Sequence, residues 1–160
     1  MTHFSELKIG DYFNIKNVES NYLEINKVVG QGLGNYDTSG ICKSKFTFKS
    51  VTTKAETEIL ISDNEYLEDN GICPIELTED LILKCGFVRV EYHEQKTIVC
   101  YERKIRNVST NEIYPQIVVY NNQLDCYSDY YGNNFKYLHQ FQEFLSRTNQ
   151  ETSKRIEIYF

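Results

Sequence analysis

The chain has 160 residues, a length that suits one domain or one domain with a small added module. Its apolar fraction of 41% is too high for a disordered chain and is enough for a packed core. The formal net charge of -6 disfavours nucleic acid as the main partner, because such binding depends largely on neutralising phosphates. No run of about 18 apolar residues occurs, so the sequence predicts no membrane span.

Cysteine and histidine usage predicts free thiols, with no metal and no cofactor. The five cysteines are odd in number and far apart, and the first residues lack the pattern of a signal peptide. Both observations favour a reducing, cytoplasmic compartment. Because no two cysteines share a short spacing and the three histidines are scattered, we expect no metal site.

Residues 1–70 are predicted to form an all-β module. Short apolar runs indicate strands over 12–15, 22–25, 42–49 and 58–61. The segment 7–12 resembles the entry of many small barrels, where a glycine turn precedes the first long strand. We therefore expect a small, curled, barrel-like sheet.

Two segments of this module have informative patterns. The strand over 42–49 has a period of two, with Cys42, Ser44, Phe46 and Phe48 on one face and Lys43, Lys45, Thr47 and Lys49 on the other. The glycine-rich segment 30–34 lacks the third glycine of a dinucleotide fingerprint, because that position is Asn35. It is therefore interpreted as a flexible loop between strands.

A connector over 71–76 is predicted to lead into a helix over 79–85. Thr78 is a good N-cap, and Gly86 is a natural C-terminal stop. Acidic residues in the first turn suit the positive end of the helix dipole. The inward-facing residues are expected to be Leu81, Ile82 and Cys85.

Antiparallel strands and a second helix should follow. Strands are predicted over 87–93, 96–104 and 113–120, with Asn121-Asn122 as a two-residue hairpin turn. An amphipathic helix is predicted over 135–147. Its apolar stripe consists of Tyr137, Leu138, Phe141, Phe144 and Leu145, and its outward residues are expected to be His139, Gln140, Gln142 and Glu143.

The tail over 155–160 alternates like a strand. The whole is an α+β chain in which a 71–160 module is expected to pack with the 1–70 module as one compact unit.

Three segments resemble a family of short uncharacterised proteins from Bacteroidota and their phages. They are the opening Leu7-Lys8-Ile9-Gly10-Asp11-Tyr12, the segment Pro74 to Phe87 with Leu77-Thr78-Glu79 and Gly86-Phe87, and the late segment Phe135 to Leu145 with Tyr137-Leu138-His139-Gln140-Phe141-Gln142. The family has no assigned activity or catalytic residues. The resemblance implies a mobile-element context, in which small proteins counter host defence by binding host proteins or nucleotide signals.

Two basic clusters and one tyrosine-rich segment are the candidate binding residues. The clusters are Lys43, Lys45 and Lys49 on one strand face, and Arg103, Lys104 and Arg106 at a strand end. They would clamp an anion such as a phosphate if they converged, although a solvated surface is the simpler interpretation. Within the tyrosine-rich segment, Tyr127, Asp129, Tyr130 and Tyr131 suit a nucleobase or a protein partner, and the alternative is that some rings cover the core.

Candidate catalytic residues are few. Glu91, His93 and His139 are the only acid–base candidates, and a Cys100–His93 pair is the one nucleophilic arrangement considered. Cys100 lies between apolar residues, which favours a buried core thiol. An enzyme that acts on a nucleotide is therefore a minor hypothesis.

The function predicted from the sequence is non-enzymatic binding of a small nucleotide-like ligand, as a phage factor that counters host defence by sequestration. The alternative is a protein–protein inhibitor of a host defence enzyme. A third hypothesis is nucleic-acid binding through Lys43, Lys45 and Lys49, which the net charge disfavours. A symmetric homo-oligomer that places sites at subunit contacts is a further expectation.

Overall fold

The computed structural model describes residues 2–16, 23–36, 40, 42–62, 65–91, 98–107, 110–148, 158 and 160. The chain divides into two compact units, one of residues 1–75 with Phe160 and one of residues 76–159. Both consist mostly of antiparallel strands, and two α-helices occur in the described part of the second. The α+β class is therefore confirmed.

The first unit is an open five-stranded antiparallel sheet. Its strands are β1 (Tyr12–Lys16), β2 (Leu23–Tyr36), β3 (Cys42–Ser50), β4 (Glu56–Ser62) and β5 (Ile72–Pro74). Their order is β4-β3-β2-β1-β5, and short 3-10 helices cover Phe4–Glu6 and Leu67–Asn70. The barrel-like prediction is wrong in that β4 and β5 remain edges and the sheet does not close.

The alternation predicted for β3 is confirmed at its centre. Phe46 and Phe48 are fully buried, and they belong to a core cluster that also contains Phe13, Val28 and Ile61. The lysines of β3 lie on the opposite face, because neighbouring side chains on a strand point to opposite sides. One face of β3 is thus committed to the core of the first unit.

The glycine-rich segment is not a loop, contrary to the sequence interpretation. Gly30, Gly32 and Gly34 lie inside β2, where Gly30 and Gly32 pair with β3 and Gly34 falls in the irregular register between Leu33 and Tyr36. A Cβ on Gly34 would lie only 2.3 Å from the Lys43 carbonyl oxygen. Glycine here permits a close strand approach, and local sequence signals cannot distinguish that role from flexibility.

The predicted connector over 71–76 contains strand β5. Its residues pair with β1, with Cys73 opposite Asn14. Pro74 is tolerated because β5 lies at the edge of the sheet, where a missing N–H breaks no second ladder. Gly71, with φ of 71°, ends the preceding 3-10 helix in a left-handed conformation.

The second unit is another antiparallel five-stranded sheet, with two helices. Its strands are β6 (Val88–Val90), β7 (Cys100–Arg106), β8 (Ile113–Asn121), β9 (Cys126–Asp129) and β10 (Asn134–Phe135), in the order β10-β9-β8-β7-β6. The helices are α1 (Glu79–Lys84) and α2 (Leu138–Thr148). The helix predicted over 79–85 is confirmed, because the Leu81 N–H donates to the Thr78 hydroxyl and Leu81, Ile82 and Cys85 are buried.

Three predictions for the second unit are wrong in detail. The hairpin after Asn121 spans residues 122–125 rather than two residues, because the Asn121 side-chain oxygen accepts from the Gln123 and Leu124 N–H groups. The second helix starts at Leu138, since Phe135 pairs with Tyr127 in the sheet. His139 and Gln142 were expected to face outward, and both are buried.

The described termini leave one prediction open. Most of the predicted strand over 155–160 lies outside the described residues, as does His93. Ile158 is buried, and the Phe160 ring contacts Tyr12 edge-on at 4.9 Å between centroids. In the described parts of the chain, no helix is long and apolar enough to cross a membrane.

Candidate functional site

The β3 lysines are paired within the first unit. Lys49 lies 3.5 Å from its cross-strand neighbour Glu56 on β4, and Lys45 lies 2.9 Å from Glu58, which is opposite Thr47 and therefore diagonal to Lys45. The repulsion expected among lysines on one strand face is therefore offset by the chain's own carboxylates. Lys43, opposite Ser62, also lowers the pKa of Glu65, although the main cause there is the hydrogen bond from the Ser62 N–H.

The second basic cluster does not form a clamp either. Arg103 donates 2.8 Å to the Gln116 side-chain oxygen and 3.3 Å to the Cys85 carbonyl, and its guanidinium lies 5.1 Å from the centre of the Phe87 ring. Lys104 is exposed on the opposite strand face, and Arg106 donates to Asn111. Arg103 therefore serves the packing of the second unit, while the predicted lysines lie in the first.

The tyrosine-rich segment separates into buried and exposed residues. Tyr127 and Asp129 are buried, whereas Tyr130 and Tyr131 are 85% and 87% exposed. The Asp129 carboxylate accepts hydrogen bonds from the Tyr131 N–H and from the backbone and side chain of Asn133. Asp129 thus holds the turn that presents the two exposed rings, which stand edge-to-face with centroids 5.7 Å apart.

A cleft of about 470 Å³ opens beside the buried tyrosines, and we name it the tyrosine cleft. Cross-strand pairing places Tyr101, Tyr120 and Tyr127 on the same face of the sheet, because Tyr120 pairs with Tyr127 and Tyr101 pairs with Val118, two residues before Tyr120. The remaining lining residues are Glu76, Leu77, Thr78, Glu79, Arg89, Val99, Asp125 and Lys136. Its volume lies within the range of small-molecule sites.

The three rings form a continuous aromatic surface. The Tyr127 ring centroid lies 5.8 Å from that of Tyr101 and 5.2 Å from that of Tyr120. Tyr101 and Tyr127 form the buried floor, and Tyr120 is only partly buried. Tyr120 therefore offers the most accessible ring face in the cleft.

Hydrogen bonds fix the polar groups around the floor. The Glu79 carboxylate accepts from the Tyr101 hydroxyl and lies 3.4 Å from Arg89, which is the cross-strand neighbour of Tyr101. Burial and the Glu79 hydrogen bond raise the pKa of Tyr101 well above its usual range. The Tyr101 hydroxyl, the Glu79 carboxylate and the Arg89 guanidinium therefore hold one another in place without a ligand.

The pKa values of Tyr120 and Tyr127 are also raised. The Tyr120 hydroxyl donates to Asp125, which raises the pKa of Tyr120. Burial raises the pKa of Tyr127, and the negative charge of Glu79 adds to that effect. Perturbed titratable groups gathered in one concavity are typical of functional sites.

Glu76 and Lys136 lie on adjacent segments at this cleft. The Leu77 N–H donates 2.9 Å to the Lys136 carbonyl, and Glu76 forms an isolated bridge with Tyr137. Both Glu76 and Lys136 are exposed. The cleft thus combines three carboxylates, two cations and three phenol rings.

A second concavity of about 400 Å³ lies beside the exposed tyrosines, and we name it the tyrosine groove. Its walls include Tyr114, Pro115, Tyr130, Tyr131 and Phe144. Its only cation among the described residues is Arg147, which is paired with Glu143 at 2.6 Å. This groove is more apolar and more aromatic than the tyrosine cleft.

Of the acid–base candidates, the structure describes Glu91 and His139, whereas His93 lies outside the described residues. Glu91 is exposed, and His139 is buried with its ring stacked on Tyr137. Cys100 is a buried free thiol whose pKa is raised by burial, as the core interpretation predicts. Among the described residues, no group of His, Cys, Asp and Glu side chains is arranged to hold a metal ion.

Of the predicted site residues, only Tyr127 lines the tyrosine cleft, while Asp129, Tyr130 and Tyr131 line the groove. The sequence analysis did not identify Tyr101 or Tyr120. Both fall within predicted strands, but their juxtaposition depends on which strands pair and in which register. No spacing within a single strand could have revealed it.

Comparison with known proteins yields one structural likeness. No protein-family model matches the chain, and no curated protein does. The extended Tudor domain from BmPAPI superposes with a TM-score of 0.32 at 10% identity, over 77% of this chain and 67% of that chain. A TM-score of that size is too low to indicate a shared fold.

Proposed function

We propose that the protein is a non-enzymatic binding protein that holds a nucleotide-derived small molecule in the tyrosine cleft. The observation that supports this most directly is the concavity itself, in which three tyrosine rings and a fixed Glu79–Arg89 pair line about 470 Å³. Small-molecule sites are typically aromatic-lined clefts with a few placed polar groups. The proposal does not use the predicted basic clusters, since their charges are engaged elsewhere or lie outside this cleft.

The chemistry of the lining suits the parts of a nucleotide. A nucleobase would stack on the open face of Tyr120, an interaction worth about 1–3 kcal/mol per base. Carboxylates accept hydrogen bonds from base N–H or ribose hydroxyl groups, and Glu76 has no side-chain partner among the described residues. Lys136 would face a phosphate.

Sequestration is the role we propose for this binding. It requires only affinity, not turnover, and the resemblance to short proteins of Bacteroidota and their phages supports a function in countering host defence. A ligand of this class would be a signalling molecule of the host. Removal of the free molecule would silence the response that it triggers.

Native mass spectrometry of the protein, before and after incubation with a small-molecule extract of phage-infected bacteria, tests the proposal. We expect a discrete mass gain of nucleotide size in the wild type. The gain should disappear in Tyr120→Ala and remain in the matched control Tyr131→Ala, whose ring is exposed outside the cleft. An unchanged wild-type mass, or equal loss in both variants, would contradict the proposal.

A protein–protein inhibitor is the second candidate, and the tyrosine groove supports it. Two adjacent tyrosines that are almost fully exposed are unusual, and Tyr is enriched where interfaces concentrate binding energy. In a pull-down from host lysate, this alternative predicts a partner that is lost in the Tyr130→Ala/Tyr131→Ala double variant. The same partner should be kept by Tyr120→Ala.

A further inference from the structure

We infer that the ligand of the tyrosine cleft is a nucleoside or nucleoside phosphodiester with at most one negative charge, and not a polyphosphate. This inference rests on the proposed function and names the ligand class for the same site. It follows from the charges that line the cleft and from the partners that those charges already have.

The charge of the lining is the first step. The cleft contains the carboxylates of Glu76, Glu79 and Asp125 and the cations of Arg89 and Lys136, so its formal charge is net negative. Sites for polyphosphates instead present several cations or a bound metal ion. Each further negative charge on a ligand would meet repulsion here rather than a partner.

The availability of the two cations is the second step. Arg89 is engaged by Glu79 at 3.4 Å, and the same carboxylate accepts from Tyr101. Lys136 has no carboxylate partner among the residues that the structure describes, and its ammonium group lies 5.9 Å from the centre of the Tyr137 ring. Lys136 is therefore the cation available to a phosphate, and it can neutralise one negative charge.

The start of helix α1 adds no compensating positive field. Its first turn carries Glu79 and Asp80, and the Thr78 hydroxyl already accepts the Leu81 N–H. Acidic side chains at a helix start offset the positive end of the dipole. A short helix that is capped in this way leaves nothing there for a second phosphate.

A neutral, planar group is by contrast well accommodated. The aromatic surface of Tyr101, Tyr120 and Tyr127 is independent of charge, and Asp125 and Glu76 can accept N–H or O–H donors. Attraction between the ligand and the cleft therefore comes from stacking and hydrogen bonding, with Lys136 adding one charge contact.

Isothermal titration calorimetry with purine compounds in Mg²⁺-free buffer tests this. The probes are guanosine, adenosine, their 3′,5′-cyclic monophosphates and their 5′-triphosphates. We expect the cyclic monophosphates to bind tightest, the nucleosides about 10-fold more weakly and the triphosphates at least about 100-fold more weakly. Added salt should weaken the cyclic monophosphates and strengthen the triphosphates.

Two variants separate the contributions of the charges. Lys136→Gln should reduce the affinity for the cyclic monophosphates to that for the nucleosides and leave nucleoside affinity unchanged. Glu76→Gln should raise triphosphate affinity about 10-fold. The control is Lys104→Gln, because Lys104 is an exposed cation outside the cleft lining.

The outcomes distinguish the two proposals. If a triphosphate binds tightest, or if Lys136→Gln weakens nucleosides and cyclic monophosphates equally, the charge limit is wrong and the binding function stands. If no probe binds at millimolar concentration and the native mass is also unchanged by extract, the proposed function fails and the charge limit falls with it.

Discussion

The lysine face of β3 and the tyrosine cleft are both rich in charged side chains, but they differ in how many of these side chains form ion pairs. On β3, Lys49 pairs with Glu56 directly opposite it on β4 and Lys45 pairs with Glu58 on the diagonal, so both ion pairs lie within one strand pair. In the cleft, Glu79 of α1 and Arg89 of β6 form an ion pair, yet Glu76 and Lys136 have no ion-pair partner among the described residues.

The difference follows from what stands beside each strand. β3 has a strand on both sides, so its side chains find neighbours at the short distances of a β ladder. The cleft instead lies where the sheet meets the segment that leads into α1, and a sheet and a loop do not match residue for residue. The like charges on β3 are thus paired within the sheet, whereas the charges of both signs around the aromatic rings of the cleft are only partly paired.

The largest expected effect tests whether β3 is a structural strand. Phe46→Ala removes a fully buried ring from the core of the first unit and should lower the free energy of unfolding by about 3–5 kcal/mol. Urea unfolding followed by circular dichroism measures this. The matched control is Thr47→Ala on the opposite face of β3, which should change stability by less than about 1 kcal/mol.

Equal effects of the two substitutions would contradict this prediction. If Phe46→Ala is as mild as Thr47→Ala, the first unit does not depend on this core, and its lysine face would need a different explanation.

Alkaline pH should weaken the second unit through Cys85. Burial raises the pKa of this thiol to about 11, above its usual value, so the folded state keeps the proton that the unfolded chain releases. The resulting stability is complete below about pH 8.5 and is lost as pH rises toward 11, by about 3 kcal/mol. The raised pKa of Tyr101 acts in the same direction above about pH 10.

Urea unfolding between pH 8 and pH 11 measures this loss. Cys85→Ala should be less stable throughout but should lose stability less steeply above pH 9. A slope identical to that of the wild type would show that the thiol does not ionise on unfolding.

Comparison of Asp129→Ala with Asp125→Ala should separate a carboxylate that stabilises a turn from one that is proposed to contact the ligand. Asp129 accepts three hydrogen bonds that hold the turn before β10, so its loss should cost about 2 kcal/mol. Asp125→Ala is the control, because Asp125 is exposed and its carboxylate accepts a single hydrogen bond among the described residues, from the Tyr120 hydroxyl. Thermal unfolding and ligand titration together should show stability lost in the first variant and affinity lost in the second.

How far the sequence predicts these features depends on the range of the interactions. Helix α1 is predictable because its start and end depend on Thr78 and Gly86, both within a few residues of it. The alternation of β3 is likewise local. The prediction for helix α2 is wrong at His139 and Gln142, because polar side chains that are buried in the fold look like surface residues in a sequence pattern.

The candidate site residues depend on long-range pairing and are harder to predict. Arg103 looked like part of an anion clamp, but its partners Cys85 and Gln116 are 18 and 13 residues away in the sequence. Tyr101 and Tyr120 meet through the register between β7 and β8, which a single sequence does not specify. Tyr127 was identified only because it belongs to a conspicuous tyrosine-rich segment.

The smallest expected effect concerns the Lys45–Glu58 pair. Lys45→Gln breaks a contact between side chains that are 41% and 59% exposed, and surface pairs of this kind contribute about 0.2–1 kcal/mol. The loss should shrink further in 0.5 M salt, because the Debye length is then only a few ångströms. Unfolding of Lys45→Gln, Glu58→Gln and the double variant at low and high salt gives the coupling energy. A coupling energy that does not fall with salt would mean that the lysine face is not an ordinary solvated ladder, and it would bring β3 back as a candidate site.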